Sequence, residues 1–455
     1  MSYTSVVDEL RQREVELRAE NFASLYRPDL PSIVLLPGGM GSRLLRNVAP
    51  YRPGEPYGSG KFYELWLDFA RAVTGDLKEL AMTDYGEDAG GSPIVASGEL
   101  SSIVKAYDGV AGFLDGKANF VGLGYDWRRP PDREYLYVRS LLQRIADKVR
   151  ARGHADPRPR LTLFAHSQGG LVAKLFLNDL VERGEDMSSW CRRLVTCCTP
   201  FYGTLSHLSR FYAGVDLVNI VTGGAAAVAR IVCTLKGPYI LLPAPRAVLL
   251  PRLGRLGLAR YPVRDAADPS IECDAFDPAL GRLPADVRAD FLGAAERQFR
   301  QIDANLPDAV SERVYHLRSD VTGGSQAFEM TWGRTNGTDD PIGNNGKLGG
   351  RHDGTVPFWA ARLPATPDAN VFDLAGVPHG GAAENPKVLE ILWNLLQDKT
   401  VPAGPQARVG GPAYGSMGPV RALVEDVQAG LRPVSDLTAL PPEDFRTLCG
   451  GFILA

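Results

Sequence analysis

Three apolar runs along this chain each break off into a glycine-rich or sharply polar turn. Leu161 to Phe164 reads as a buried strand. Ala165-His166-Ser167-Gln168-Gly169 then forces a turn, and Gly170 to Leu180 reads as a helix. Pro31 to Leu36 has the same strand character and runs into Pro37-Gly-Gly-Met-Gly-Ser42. Val371 to Val377 reads as a third strand, ending at Pro378-His379-Gly-Gly. Around them the pattern alternates. Phe120 to Arg128 is a strand with a polar aromatic end, Tyr135 to Ala151 an amphipathic helix, and Leu194 to Cys198 a strand closed by the turn 199–204. Helices are further predicted over 4–25, Phe62–Ala72, Glu99–Phe113 and Val388–Gln397, with loops over 43–60 and 84–96. On the first helix Val6, Val7, Leu10, Leu17, Phe22 and Leu25 fall loosely on one side.

Alternating strands and helices specify an α/β chain with a mostly parallel sheet and helices on both faces. After residue 205 the rhythm breaks for roughly 145 residues, too many for one loop. An inserted cap or lid over 205–345 is therefore expected, between core segments 31–204 and 346–400. An N-terminal helix (1–30) would precede them, and a Gly/Pro-rich linker and tail (401–455), with a short helix at Val420–Ala429, would follow.

Ser167 stands where a strand meets a helix, the setting of a nucleophile elbow. Its neighbours two residues away must be small, and Ala165 and Gly169 are; glycine is usual at the first position, so Ala165 is a mild departure. The helix start supplies free N–H groups and a positive dipole end to a developing oxyanion. A Ser-Gly turn closing an ordinary βα unit has the same local pattern. A serine hydroxyl needs a base, and the base an orienting carboxylate. In the order serine, acid, base, these are Ser167, Asp353 and His379. Of the six histidines, His154 sits in a polar loop, His166 lies inside the elbow pointing away from the attack, His207 and His316 precede the acid, and His352 adjoins it. Asp339, Asp340 and Asp373 compete with Asp353, but Asp373 lies mid-strand, where an unpaired carboxylate is costly. His352-Asp353 lacks a third ligand at suitable spacing for a metal. The loop 37–42 has neither the Lys-Ser/Thr nor the GxGxxG spacing of a phosphate loop.

Composition narrows the picture only a little. The 455 residues are 44% hydrophobic, with 50 basic and 53 acidic side chains, which gives no global case for nucleic acid. Six cysteines without CxxC pairing read as free buried thiols in a reducing compartment. Residues 5–21 are charged, without the apolar core of a signal peptide, and no apolar run is long enough to span a membrane. A cytoplasmic protein is expected. Residues 217–264 hold Arg230, Lys236, Arg246, Arg252, Arg255, Arg260 and Arg264 but no Asp or Glu. Such an apolar, cationic stretch suits contact with an anionic membrane surface, or equally a cap packed on its own core.

With these residues in view, the chain resembles the lecithin:cholesterol acyltransferase-like family, which includes the lysosomal phospholipase A2 and phospholipid:diacylglycerol acyltransferases. Leu35–Ser42, Tyr63–Leu67, Tyr125-Asp-Trp-Arg128, His166–Gly170, Gly237–Pro243, Asp353–Pro357 and Val377-Pro-His379 are similar, in order, to its motifs. The resemblance implies an α/β-hydrolase fold, Ser167 as nucleophile, Asp353 as acid and His379 as base. It implies oxyanion donors at the backbone N–H groups of Gly39 and Gln168, and substrate contacts at Met40, Trp66, Tyr125 and Leu241. It further implies acyl-ester chemistry on lipids, with water or an alcohol as acceptor and no cofactor or metal. Residues 43–61 lack the cysteines that close the family's lid. A carboxylesterase for small soluble esters, or a non-catalytic binding or scaffold protein on the same fold, are the competing expectations.

Overall fold

Buried strands with apolar residues on both sides have to be covered by helices on both faces, and the computed structural model has this arrangement. It describes residues 3–47, 62–66, 76–99, 107–204, 225–265, 270–277, 283–322 and 350–406, with short pieces within 207–211, 330–339 and 423–436, and Asp268. Helix α1 (Tyr3–Ser24) is followed by β1 (Ser32–Leu36), β2 (Ser42–Asn47), β3 (Phe62–Trp66), β4 (Ile94–Glu99), α2 (Asp108–Leu114) and β5 (Asn119–Gly122). Then come α3 (Pro131–Ala151), β6 (Leu161–His166), α4 (Gly169–Glu182), β7 (Arg193–Cys197), α5 (Ala225–Thr234) and α6 (Ala289–Asp303). Strands β8 (Val314–Asp320) and β9 (Val371–Ala375), helix α7 (Pro386–Leu396) and the two-residue β10 (Gly404–Pro405) complete the order. The central sheet runs β10-β9-β8-β7-β6-β1-β5, and all its neighbouring pairs are parallel.

The two-residue side-chain period divides the core in two. Ile33, Leu35, Phe164, Val195 and Phe372 point to one face, where Val110 and Leu114 of α2 and Val388, Leu392 and Leu395 of α7 meet them. Val34, Leu36, Leu163 and Ala165 point to the other, against α1, α3, α4 and the inserted segment. No helix among the described residues is long and apolar enough to cross a membrane.

Several local expectations are corrected. Residues 62–66 form a strand, not a helix. Phe, Tyr and Trp favour the extended chain, and β2 supplies a partner edge, itself where a loop was expected. Across that pair the Arg46 guanidinium donates to the Tyr63 hydroxyl at 2.9 Å, and Arg43 pairs with Glu64 at 2.9 Å. The supposed loop 84–96 ends in β4, which pairs with β2 on its other side. Of the helix expected over Glu99–Phe113, only the part from Asp108 is helical; Glu99 closes β4, residues 100–106 lie outside the described residues, and so do 67–72. On α1 Leu17 is exposed while Arg11 is buried, and Leu25, just past the helix, is exposed too. The five described cysteines are buried and free; Cys449 and most of the tail lie outside the described residues.

The expected insertion 205–345 is also too long. The chain is back in the central sheet at Val314, because β8 lies between β7 and β9. Polar residues hide this strand in the sequence, and each is satisfied by a partner. His316 is hydrogen-bonded through Nδ1 to Thr196 Oγ1 at 2.7 Å and through Nε2 to Thr366 Oγ1 at 2.8 Å. Arg318 Nε donates to Asp373 Oδ1 at 2.6 Å, which explains an aspartate in mid-strand.

The Tyr-Asp-Trp-Arg corner is a clasp. The fully buried Arg128 guanidinium holds Asp126 through Nε (2.9 Å) and Nη2 (2.7 Å) and Asp88 through Nη1 (2.6 Å). Asp88 also takes the Tyr3 hydroxyl and the Ile94 N–H. One cation thereby joins α1, the β2–β3–β4 sheet and the main sheet. Arg128→Met leaves the buried Asp88 carboxylate without its cation and Asp126 with Arg129 alone, and urea unfolding is expected to show a loss of about 3–5 kcal/mol; an unchanged midpoint would contradict the clasp. His316 gives a pH test. Burial, helped by Arg362 and Arg318, pushes its folded pKa down to about 3 from 6.5. Above pH 6.5 neither state binds the proton; below it only the unfolded chain does, so the ring's contribution to stability fades toward acid. The stability penalty of His316→Gln is expected to shrink by about 2 kcal/mol between pH 7.5 and pH 5. A penalty independent of pH would show that the ring is protonated in the fold.

Candidate active site

The elbow between β6 and α4 forces Ser167 into the left-handed region, with φ of 51°. The conformation is held by packing. The Ser167 N–H donates to the Cys197 carbonyl at 2.8 Å, continuing the β6–β7 ladder past the end of the strand. A Cβ at Gly169 would lie 2.4 Å from the Pro37 carbonyl oxygen, and one at Gly170 2.0 Å from Thr199 Oγ1. Helix α4 is therefore seated directly under the serine. Met40 (φ 61°) and Cys198 (φ 52°) share this backbone conformation, so three of the four non-glycine residues of this kind among the described residues lie on loops at the site.

Three side chains meet there. His379 Nε2 is 2.9 Å from Ser167 Oγ, and His379 Nδ1 is 2.8 Å from Asp353 Oδ2. The other carboxylate oxygen of Asp353 accepts the N–H groups of Thr355 (2.9 Å) and Val356 (2.6 Å), and the His379 N–H donates to the Asp353 carbonyl at 2.9 Å. Burial alone would push the Asp353 carboxyl up. The His379 ring and the two loop N–H donors outweigh it and hold the carboxyl below its ordinary value. The other histidines are engaged elsewhere. His166 is bonded to Tyr107 and to the His379 carbonyl, His352 Nδ1 accepts the Gly354 N–H, and His154 packs edge-on against Tyr26.

Beside the serine the glycine loop comes close: a Cβ at Gly38 would lie 3.0 Å from the Ser167 Cβ. Gln168 folds over Gly39, whose own added Cβ would meet Gln168 Oε1 at 2.6 Å. Gly39 and Gln168 open on a narrow apolar cavity of about 50 Å³. Met40, Trp66 and Leu241, expected at the substrate, are in its wall. Tyr125 is not. It is buried in the core with its N–H held by Ser42 Oγ at 3.0 Å, because the corner turns its ring inward and presents Trp127 to the cavity. Trp127, Leu77, Leu80 and Val228, Ile231 and Val232 of α5 were missed as wall residues. Only the run of branched apolar residues in α5 could have hinted at them. His207 and Arg210 are its polar wall besides Gln168.

The cationic stretch 217–264 is not electrostatically bare. Arg230 faces Asp286, Arg252 pairs with Asp303, and Arg246 and Arg264 share Glu272. Its acids come from later in the insertion. Among the described residues, the one grouping of three metal-ligand side chains is Cys198, Asp353 and His379, with ligand atoms within 4.8 Å of one another. A metal there would compete with the bond between His379 and Asp353.

Residues 100–253 match the family model described as lecithin:cholesterol acyltransferase. The resemblance read from the motifs therefore holds over the segment that carries the Tyr-Asp-Trp-Arg corner, the elbow and the Leu-Leu-Pro stretch. No curated protein matches the chain. Among solved structures, the Tle4–Tli4 complex is similar with a TM-score of 0.48 and 14% identity, over 82% of this chain and 99% of that one. The mature Bacillus licheniformis lipase BlEst2 follows with a TM-score of 0.35 and 14% identity, over 81% and 93%. The lin2722 gene product from Listeria innocua has a TM-score of 0.30 and 13% identity, over 82% and 98%. Strand order and the loops that meet at Ser167 identify the fold independently as that of an α/β hydrolase.

Proposed function

We propose that this chain is a serine acyl-ester hydrolase or acyltransferase acting on glycerolipid esters. The single observation carrying the proposal is the hydrogen-bonded series Ser167–His379–Asp353 at the end of a parallel sheet. In this mechanism His379 Nε2 takes the Ser167 proton as Oγ attacks the ester carbonyl carbon. The imidazolium so formed lies against Asp353, whose lowered pKa keeps it a carboxylate. The N–H groups of Gly39 and Gln168 receive the oxyanion, each contributing about 3–4 kcal/mol. Collapse expels the alcohol with the proton from His379. Water then releases the acid from the acyl-enzyme, or a second alcohol takes the acyl group.

The match of residues 100–253 supports acyl chemistry, and the apolar wall beside Gly39 and Gln168 supports a hydrocarbon acyl group. The narrowness of that cavity, room for a handful of water-sized groups, favours a second reading, a carboxylesterase for short soluble esters. Activity against p-nitrophenyl esters from acetate to palmitate, and against phospholipid and neutral-lipid vesicles by mass spectrometry, separates the two. The lipid reading expects turnover of long chains that Ser167→Ala lowers at least about 10⁴-fold while preserving the thermal melt. Turnover confined to the shortest esters favours the carboxylesterase, and an active Ser167→Ala overturns both.

A further inference from the structure

A series of buried hydrogen bonds runs behind the three reacting side chains. The Gly38 N–H donates to the Tyr107 hydroxyl at 2.7 Å. That hydroxyl lies 2.9 Å from His166 Nδ1, and His166 Nε2 lies 3.0 Å from the His379 carbonyl oxygen. The proton positions follow from one end. A carbonyl only accepts, so His166 Nε2 carries its hydrogen and Nδ1 must accept. The Tyr107 hydroxyl therefore donates to Nδ1, and its lone pair takes the Gly38 N–H. Every donor in the series has one acceptor, and Tyr107, His166 and His379 are all buried.

The series crosses the site from loop to loop. Gly38 follows β1, His166 ends β6, and His379 follows β9. The Tyr107 hydroxyl sits inside the turn closed by Gly41 N–H to Gly38 O at 3.0 Å, and a Cβ at Gly41 would lie 2.9 Å from it. The next peptide after this anchor carries the Gly39 N–H. At the far end the anchor is the backbone of the proposed base. His166 and His379 also pack ring to ring, with centroids 5.1 Å apart.

We propose that Tyr107 and His166 are positioning residues that hold the oxyanion loop and the base loop in register on either side of Ser167. This rests on the serine-hydrolase reading above. Burial keeps both groups in the required form. It pushes the Tyr107 phenol up, so it stays a donor, and it pushes His166 down to about 3, so it stays neutral. Neither group touches the substrate; they act through Gly39 and His379.

Steady-state kinetics on p-nitrophenyl butyrate, with inhibition by an alkyl boronic acid that forms a tetrahedral adduct on serine, tests this. Tyr107→Phe is expected to lower kcat on the order of 10–100-fold, to leave KM within about threefold, and to weaken boronate binding in step with kcat/KM. His166→Gln keeps a donor for the His379 carbonyl and should lose less than His166→Ala. The Tyr107→Phe/His166→Ala double variant should be scarcely worse than the poorer single one, since one series is broken once. Variants that melt earlier but keep wild-type kcat and boronate affinity would reduce both residues to structural ones and overturn the proposal, as would fully additive losses. Ser167→Ala is run alongside: its continued activity would sink the underlying reading instead.

Discussion

The left-handed backbone at Ser167 is the constraint on which the rest depends. A serine with φ of 51° carries strain of order 1–3 kcal/mol and persists only where its surroundings leave no alternative. Here the Cys197 carbonyl holds its N–H on one side, and the lack of side chains at Gly169 and Gly170 lets α4 press against Leu36, Pro37 and Thr199 on the other. The same turn that strains the backbone aims the hydroxyl off the sheet edge and starts a helix beneath it. The direction of the hydroxyl and the helix start behind it are thus consequences of one piece of geometry.

The remaining architecture brings other loops to that point. Parallel strands all end on the same edge, so the loops after β1, β6, β7 and β9 converge there. Thr355 and Val356 fix the carboxylate, and the backbone bond between His379 and Asp353 ties the two loops together. At the opposite side of the glycine loop, Trp66 donates to the Met40 carbonyl at 2.7 Å. The small antiparallel sheet therefore braces both the cavity wall and the loop. Arg128 then anchors that sheet to the core through Asp88, which is how a motif far from the serine in sequence contributes to the site.

The central sheet was largely legible in the sequence because a strand buried on both faces is mostly apolar, and β1, β6 and β7, buried along their whole length, are of that kind. The three side chains that meet were legible through residue type and order along the chain. Less was visible where polar residues serve the fold. His316 and Arg318 disguise β8, since their partners Thr196, Thr366 and Asp373 come from other elements. The short β2 and β3 are half-exposed in part, and cross-strand partners, not local propensity, make them and β4 strands. Tyr125 and Trp127 are two residues apart and equally aromatic; only the corner's geometry decides which of them faces the cavity. Within 217–264 the partners of Arg230, Arg246, Arg252 and Arg264 were out of sight for a related reason, as Glu272, Asp286 and Asp303 follow later in the sequence.

Whether Ser167 is the activated nucleophile decides the chemistry of this site. Labelling the folded protein with a fluorophosphonate and mapping the adduct by peptide mass spectrometry tests this most directly. A single adduct on Ser167, abolished by prior unfolding or by His379→Ala, is the result predicted. An adduct on another serine, or none at all from protein that still turns over esters, would contradict it.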